Sequence, residues 1–268
     1  MRSAPLPVPA NQPHDARRLR FPSVSPAQRI DVSGVVVSPS FRTSDSFNAA
    51  KAAAASRTPA CPLRVLFLSE GNVCRSVLAE ALLRDRLATL AAAGCSLAVQ
   101  VESKGTRDYN VGEGPEPAAA LAAAHLGLQL RPHSARVSDV AADVVLFDLL
   151  LTFDKFTAAD VMREVSVYDT VDPAGRYAPK VRSLTQFHPG LLDEVGDPLY
   201  GACDPTGAAE VAATLAAARV IGVCVDGLVV ELQAAAAKPE GLRAALQARL
   251  DELSPIEWLA PPMLSPRT

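Results

Sequence analysis

The twelve residues Val65-Leu66-Phe67-Leu68-Ser69-Glu70-Gly71-Asn72-Val73-Cys74-Arg75-Ser76 constrain the fold more than any other segment. A short, continuously apolar run enters a glycine-containing turn. The turn opens directly into an Ala/Leu-rich stretch, Ser76 to Ala92, whose Leu78, Leu82 and Leu83 recur at helical spacing. Strand, turn and helix therefore form one unit. Further apolar segments follow at Leu97–Glu102, Phe147–Thr152 and Val181–Phe187, with helical patterns near Pro115–Leu126, after Asp154 and over Thr206–Gln233. Strands that alternate with helices predict a parallel sheet covered on both faces. Leu242, Leu246, Leu250 and Leu253 add one amphipathic helix near the end.

In an open parallel sheet, ligands bind beyond the carboxyl ends of the strands, and a helix that starts there offers backbone N–H groups at the positive end of its dipole. The turn after Leu68 suits a phosphate. Gly71 permits backbone conformations closed to other residues, Asn72 can pin the turn through its amide, and Arg75 offers a planar fork matching two phosphate oxygens.

The rest of the chain narrows the class. Its most apolar stretch, Thr214–Ala237, is interrupted by Arg219, Asp226 and Glu231, so no uncharged run reaches the ~18 residues of a membrane span, and no membrane partner is expected. A net charge of −3 gives no bulk attraction to nucleic acid. Five cysteines, widely spaced and without a C-x-x-C pair, suggest reduced thiols, not a disulfide framework. His14, His125 and His188 lack partners at metal spacing, so neither metal nor organic cofactor is expected. Residues 1–58 carry eight basic side chains against three acidic ones, together with nine serines and no apolar signal core. This composition predicts a disordered transit-peptide leader over 1–60, cut near 45–61, with chloroplast preferred to mitochondrion and a cytoplasmic basic tail as the bland alternative. The domain proper is expected over 64–235, followed by a helix and tail over 236–268.

The loop resembles that of the low molecular weight protein tyrosine phosphatases at nearly every position, within the Cys-x5-Arg phosphatase signature. The resemblance continues through Ser103-Lys104-Gly105-Thr106, Asp108-Tyr109-Asn110-Val111-Gly112, His133-Ser134-Ala135-Arg136, Thr152-Phe153-Asp154-Lys155 and Gly196-Asp197-Pro198-Leu199-Tyr200-Gly201, in the family's order. It implies a three-layer, doubly wound α/β sandwich around a four-stranded parallel sheet, and a ligand that is a phosphorylated protein or a small phosphate. It further implies that the loop Glu70, Gly71, Asn72, Val73, Cys74 and Arg75 cradles phosphate and that Arg75 clamps it. Asp197 would be the general acid, Ser76 and His133 the loop support, and Tyr109 with Tyr200 the walls that receive the substrate ring.

The family's nucleophilic cysteine is replaced by Ser69. A thiol titrates near ~8.5 and falls to ~3.5–7.5 beside a helix N-terminus and an arginine, whereas a hydroxyl starts many units higher and needs a base beside it. Glu70 stands where the family has an apolar residue; a carboxylate ~6 Å from a phosphate charge at an effective dielectric of ~20 costs about 3 kcal/mol before screening. Leu199, Val77 and Lys104 are further departures, each expected to alter the pocket's rim or support. Cys74, next to Arg75, would have to reach the loop's centre from the wrong side to substitute as nucleophile. Three readings follow: a binding module that has lost catalysis, a working tyrosine phosphatase, or another reaction on the same fold such as arsenate reduction.

Overall fold

The computed structural model describes residues 44–58, 61–190, 192–200 and 207–253. Most of the expected leader (1–43), Cys203 and the tail beyond 253 lie outside the described residues. Four parallel strands, β1 (Leu63–Ser69), β2 (Val99–Gly105), β3 (Leu149–Thr152) and β4 (Val181–Ser183), stand in the order β2-β1-β3-β4. The expected fourth strand is shorter than its apolar run, because a 3-10 turn takes Leu184–Phe187. The helices are α1 (Asp45–Ala55), α2 (Arg75–Ala92), α3 (Pro117–His125), α4 (Val140–Leu146), α5 (Lys155–Val171), α6 (Ala208–Ala236) and α7 (Leu242–Glu252).

Alternation along the central strands divides the core into two layers. Leu63, Val65 and Phe67 of β1 and Leu149 and Leu151 of β3 pack with α2, α3, α6 and α7, while Leu66, Leu68 and Leu150 face α1, α4 and α5. Every β1 residue from Val65 to Ser69 is buried, as a continuously apolar strand requires. The expected three-layer architecture is therefore present, with β1 at its centre and its carboxyl end pointing at the loop.

Helix α1 forms inside the stretch 1–60 read from the sequence as leader. Ser44 accepts from the Phe47 N–H at 3.2 Å to cap the helix. Phe47 is 2% exposed, stacked on Tyr168 with centroids 4.5 Å apart and edge-on to Tyr177 at 5.7 Å. A lone aromatic in an Ala-rich, basic stretch gives little amphipathic signal; its partners lie some 120 residues further on.

The closing helix α6 is, by length and composition, apolar enough to cross a membrane. In the domain it is a core helix: Ala218, Ile221, Cys224, Val225, Leu228 and Leu232 are buried. At Gly227 it touches the Phe187 backbone so closely that a Cβ would run into the Phe187 carbonyl oxygen. Helix α7 buries Leu246 and Leu250 against the same layer, as its leucine spacing predicts.

Candidate functional site

Helix α2 begins without a side-chain cap, whereas Asp139 caps α4 and Asp154 caps α5. The loop before it, Ser69 to Cys74, is held from outside through its carbonyls. The Ser69 carbonyl accepts from the Thr106 N–H and that of Glu70 from the Arg107 N–H, each at 2.9 Å. The Val73 carbonyl accepts from the Glu116 N–H at 2.9 Å, and that of Asn72 meets His133 Nε2 at 2.7 Å. A trans peptide sets its N–H opposite its C=O. With these carbonyls turned outward, the N–H groups of residues 70, 71, 73 and 74 turn toward the concave side, where an anion finds them together with the α2 dipole.

The left-handed backbone position is Asn72, at φ 58°, and not Gly71 as expected. Asparagine tolerates this conformation, and its amide locks it: Nδ2 donates to Ser76 Oγ at 3.1 Å, and Oδ1 accepts from the Arg136 N–H at 3.0 Å. Gly71 lets the Asn110 side chain approach the loop closely, since a Cβ there would displace the Asn110 side-chain oxygen. Gly105 is constrained likewise: a Cβ would stand 2.8 Å from the Glu70 carbonyl oxygen.

Arg75 is 3% exposed and points into the domain beneath the loop's rim. Its Nη1 donates to Asp154 Oδ2 at 2.6 Å and to the Val195 carbonyl at 2.8 Å, and its Nη2 to Asp197 Oδ2 at 3.3 Å. A guanidinium has five N–H donors. These three contacts leave Nε–H and one Nη2–H, an edge that fits two oxygens of a tetrahedral anion. Asp197 Oδ1 accepts from the Leu199 N–H at 3.0 Å, which holds the carboxylate beside Arg75 Nη2.

Ser69, Glu70, Gly71, Val73, Cys74, Arg75, Tyr109, Asp197 and Tyr200 line one cavity of about 470 Å³, joined by Asn110, Glu116 and Leu199. Asn72, Ser76 and His133 sit behind the loop. The sequence-predicted set is thus brought together, divided between wall and support. Of the departures, Leu199 lines the cavity, Val77 is buried in α2, and Lys104 is not at the rim: it reaches Asp143 of α4 at 2.5 Å. Asp154, which anchors Arg75, was missed as a site residue. Its signal was its place immediately after an apolar strand, where such sheets gather their ligand groups.

Ser69 Oγ is buried and lies 2.7 Å from Ser76 Oγ. No basic side chain reaches it among the described residues; His133 is engaged with the Asn72 carbonyl. Burial, and then the negative charge of Asp197, push the Cys74 thiol up to about 12. Glu70 faces the cavity and meets the Tyr109 hydroxyl; partial burial, followed by this hydrogen bond and the Glu70 charge, raises that phenol to about 12. The arrangement can bind and orient a tetrahedral anion. Among the described residues it offers no thiolate at neutral pH.

Residues 64–218 match the family model for low molecular weight phosphotyrosine protein phosphatase. A low molecular weight protein-tyrosine-phosphatase of Streptomyces coelicolor is 33% identical over 144 residues, covering 53% of this chain and 80% of the relative. The low molecular weight phosphotyrosine protein phosphatase of Sus scrofa is 30% identical over 137 residues, 51% of this chain and 80% of that one. Among solved structures, a low molecular weight phosphotyrosine phosphatase of Vibrio cholerae O395 superposes with a TM-score of 0.52 at 23% identity, over 64% of this chain and 97% of the other. On the match over 64–218, and on the strand, loop and helix that open it, the chain belongs to the low molecular weight phosphotyrosine protein phosphatase family.

Proposed function

We propose that this family member binds phosphate or phosphotyrosine but has impaired catalysis, a pseudophosphatase acting as a binding module. The observation that carries the reading is the surrounding of Ser69 Oγ, whose neighbour is another hydroxyl, Ser76 Oγ at 2.7 Å, with no base in reach among the described residues. The family's two-step transfer needs an attacking thiolate, a held phosphate and an acid for the leaving oxygen. Arg75, the inward-turned N–H groups and Asp197 support the last two. For the first step the described residues supply no activated nucleophile. Cys74, with its thiol kept protonated by burial, does not replace it.

Ser69 is therefore read as the substituted nucleophile, Arg75 as the clamp, Asp197 as the unused acid, and Tyr109 and Tyr200 as walls for an aromatic ring. Purified protein should bind inorganic phosphate and a phosphotyrosine peptide by calorimetry, should lose both on Arg75→Ala, and should turn over aryl phosphate no faster than Ser69→Ala. Hydrolysis at rates typical of an enzyme, with phosphorylated Ser69 forming and clearing during turnover, would overturn the reading in favour of a working tyrosine phosphatase.

The basic, serine-rich leader supports a plastid location. Phe47 packs into the domain, which favours a cut before Ser44 for a leader that is removed. Residues 1–43 fused to a fluorescent reporter should enter plastids; a cytosolic signal would defeat this assignment.

A further inference from the structure

A second cavity of about 670 Å³ adjoins the phosphate loop and shares Glu70, Arg75, Asp197 and Tyr200 with the first. Among the described residues its charged lining is Glu70, Asp154, Asp160, Glu194 and Asp197 against Arg75 and Arg107. The two guanidiniums are already committed. Arg75 holds Asp154 and Asp197, and Arg107 holds Asp160 at 2.5 Å. Among the described residues Glu70 and Glu194 remain without a cationic side chain: Glu70 takes the Tyr109 hydroxyl, and Glu194 the Lys155 backbone N–H at 3.3 Å.

Aromatic side chains complete the lining. Phe156 is 76% exposed and Tyr200 91% exposed, and both belong to this cavity. A single exposed aromatic is unremarkable, but two beside unpaired carboxylates make the environment that receives an ammonium or guanidinium, through charge and through the ring faces. For a bare phosphate dianion the same surroundings are unfavourable, because Glu70 repels it across the loop.

We propose that this cavity seats a cationic side chain next to the phosphorylated residue, so that the ligand is a phosphotyrosine peptide with basic flanks. The proposal rests on the phosphate-binding reading above and supplies the substrate class that reading lacks. It also gives Glu70 a purpose: a carboxylate that weakens isolated phosphate strengthens a phosphate whose neighbour is Lys or Arg. The ligand then offers both charges, phosphate to Arg75 and the α2 N-terminus, cation to Glu70 and Glu194. Complementarity of this kind is salt-dependent and discriminates strongly between like and unlike flanks.

The test is fluorescence anisotropy with the full chain at low ionic strength and three labelled phosphotyrosine peptides whose flanking residues are lysine, alanine or glutamate. An unphosphorylated lysine-flanked peptide and calorimetry with inorganic phosphate accompany them. The lysine-flanked phosphopeptide should bind about tenfold tighter than the alanine one, and the glutamate one should bind weakest. Glu194→Gln should shrink the lysine preference several-fold and leave binding of inorganic phosphate unchanged, since Glu194 lines only the second cavity. If inorganic phosphate and all three phosphopeptides bind but the flanks make no difference, the cationic seat is refuted while the phosphate-binding reading stands. Equal binding of the unphosphorylated lysine peptide would also refute it, as surface attraction only. Failure of every phosphorylated ligand would bring down both.

Discussion

If catalysis is impaired as proposed, replacing Ser69 by cysteine should raise aryl phosphate hydrolysis sharply, and the size of the gain follows from the surroundings of one atom. A thiol starts near ~8.5. A hydroxyl, like water, starts about 7 units higher, a gap of ~10 kcal/mol at ~1.36 kcal/mol per unit. The oxyanion is the stronger nucleophile once formed; a Brønsted coefficient of ~0.5 recovers about half and leaves ~5 kcal/mol, between ~10³ and ~10⁴ in rate. Among the described residues nothing around Ser69 Oγ reduces this further: its partner is Ser76 Oγ, and His133 is occupied by the Asn72 carbonyl. In the variant, Ser76 stands ready to donate to the new thiolate, and the uncapped start of α2 lies beside it. The assay is initial-rate hydrolysis of an aryl phosphate by wild type, Ser69→Cys and Ser69→Ala. Glu70→Leu in the cysteine background should raise the rate again by removing a carboxylate that opposes both thiolate and substrate. Wild-type rates within about tenfold of Ser69→Cys, and well above Ser69→Ala, would refute the reasoning, because the hydroxyl would then be activated by a group the geometry does not supply.

Other perturbations test other parts of the structure. Phe47→Ala should cost about 3 kcal/mol in denaturant unfolding, since it empties an aromatic site between Tyr168 and Tyr177; no loss would mean that α1 is not part of the domain. Gly227→Ala should lower stability by ~1–3 kcal/mol, read as a fall in Tm, because α6 cannot keep its distance from the Phe187 backbone with a methyl in between. Alkylation at neutral pH should label exposed Cys95 and spare Cys74 until the chain unfolds; early labelling of Cys74 would contradict the thiol's high, burial-driven value of about 12. Burial lowers Lys180 from 10.5 to about 8, so the unfolded chain binds the extra proton between those values and stability from this site rises with pH across that window. Lys180→Met should flatten that rise and stabilise the protein at neutral pH by about 3 kcal/mol, less the lost bond from its Nζ to the Val144 carbonyl.

What the sequence disclosed, and what it withheld, divides along physical lines. β1 and α2 were legible because a run from Val65 to Leu68 apolar on both faces has one reasonable place, the middle of a covered sheet, and the helix after it repeats at its own period. α1 was hidden because its case rests on one ring, Phe47, whose partners Tyr168 and Tyr177 are remote in the chain. The identities of the loop residues were readable, but not their division of labour. Glycine was expected to carry the unusual backbone angle, and Asn72 carries it, because an amide that bonds both Ser76 and the Arg136 N–H repays the strained conformation while a glycine would bond neither. The state of Arg75 was likewise out of reach. From the sequence it is a free cation beside a phosphate loop; in the fold it is a tied one, with Asp154, Val195 and Asp197 holding three of its donors. The tie fixes which edge of the guanidinium faces the loop. It also consumes the positive charge that would otherwise answer Glu70 and Glu194, and that is why the cation this site lacks has to arrive with the ligand.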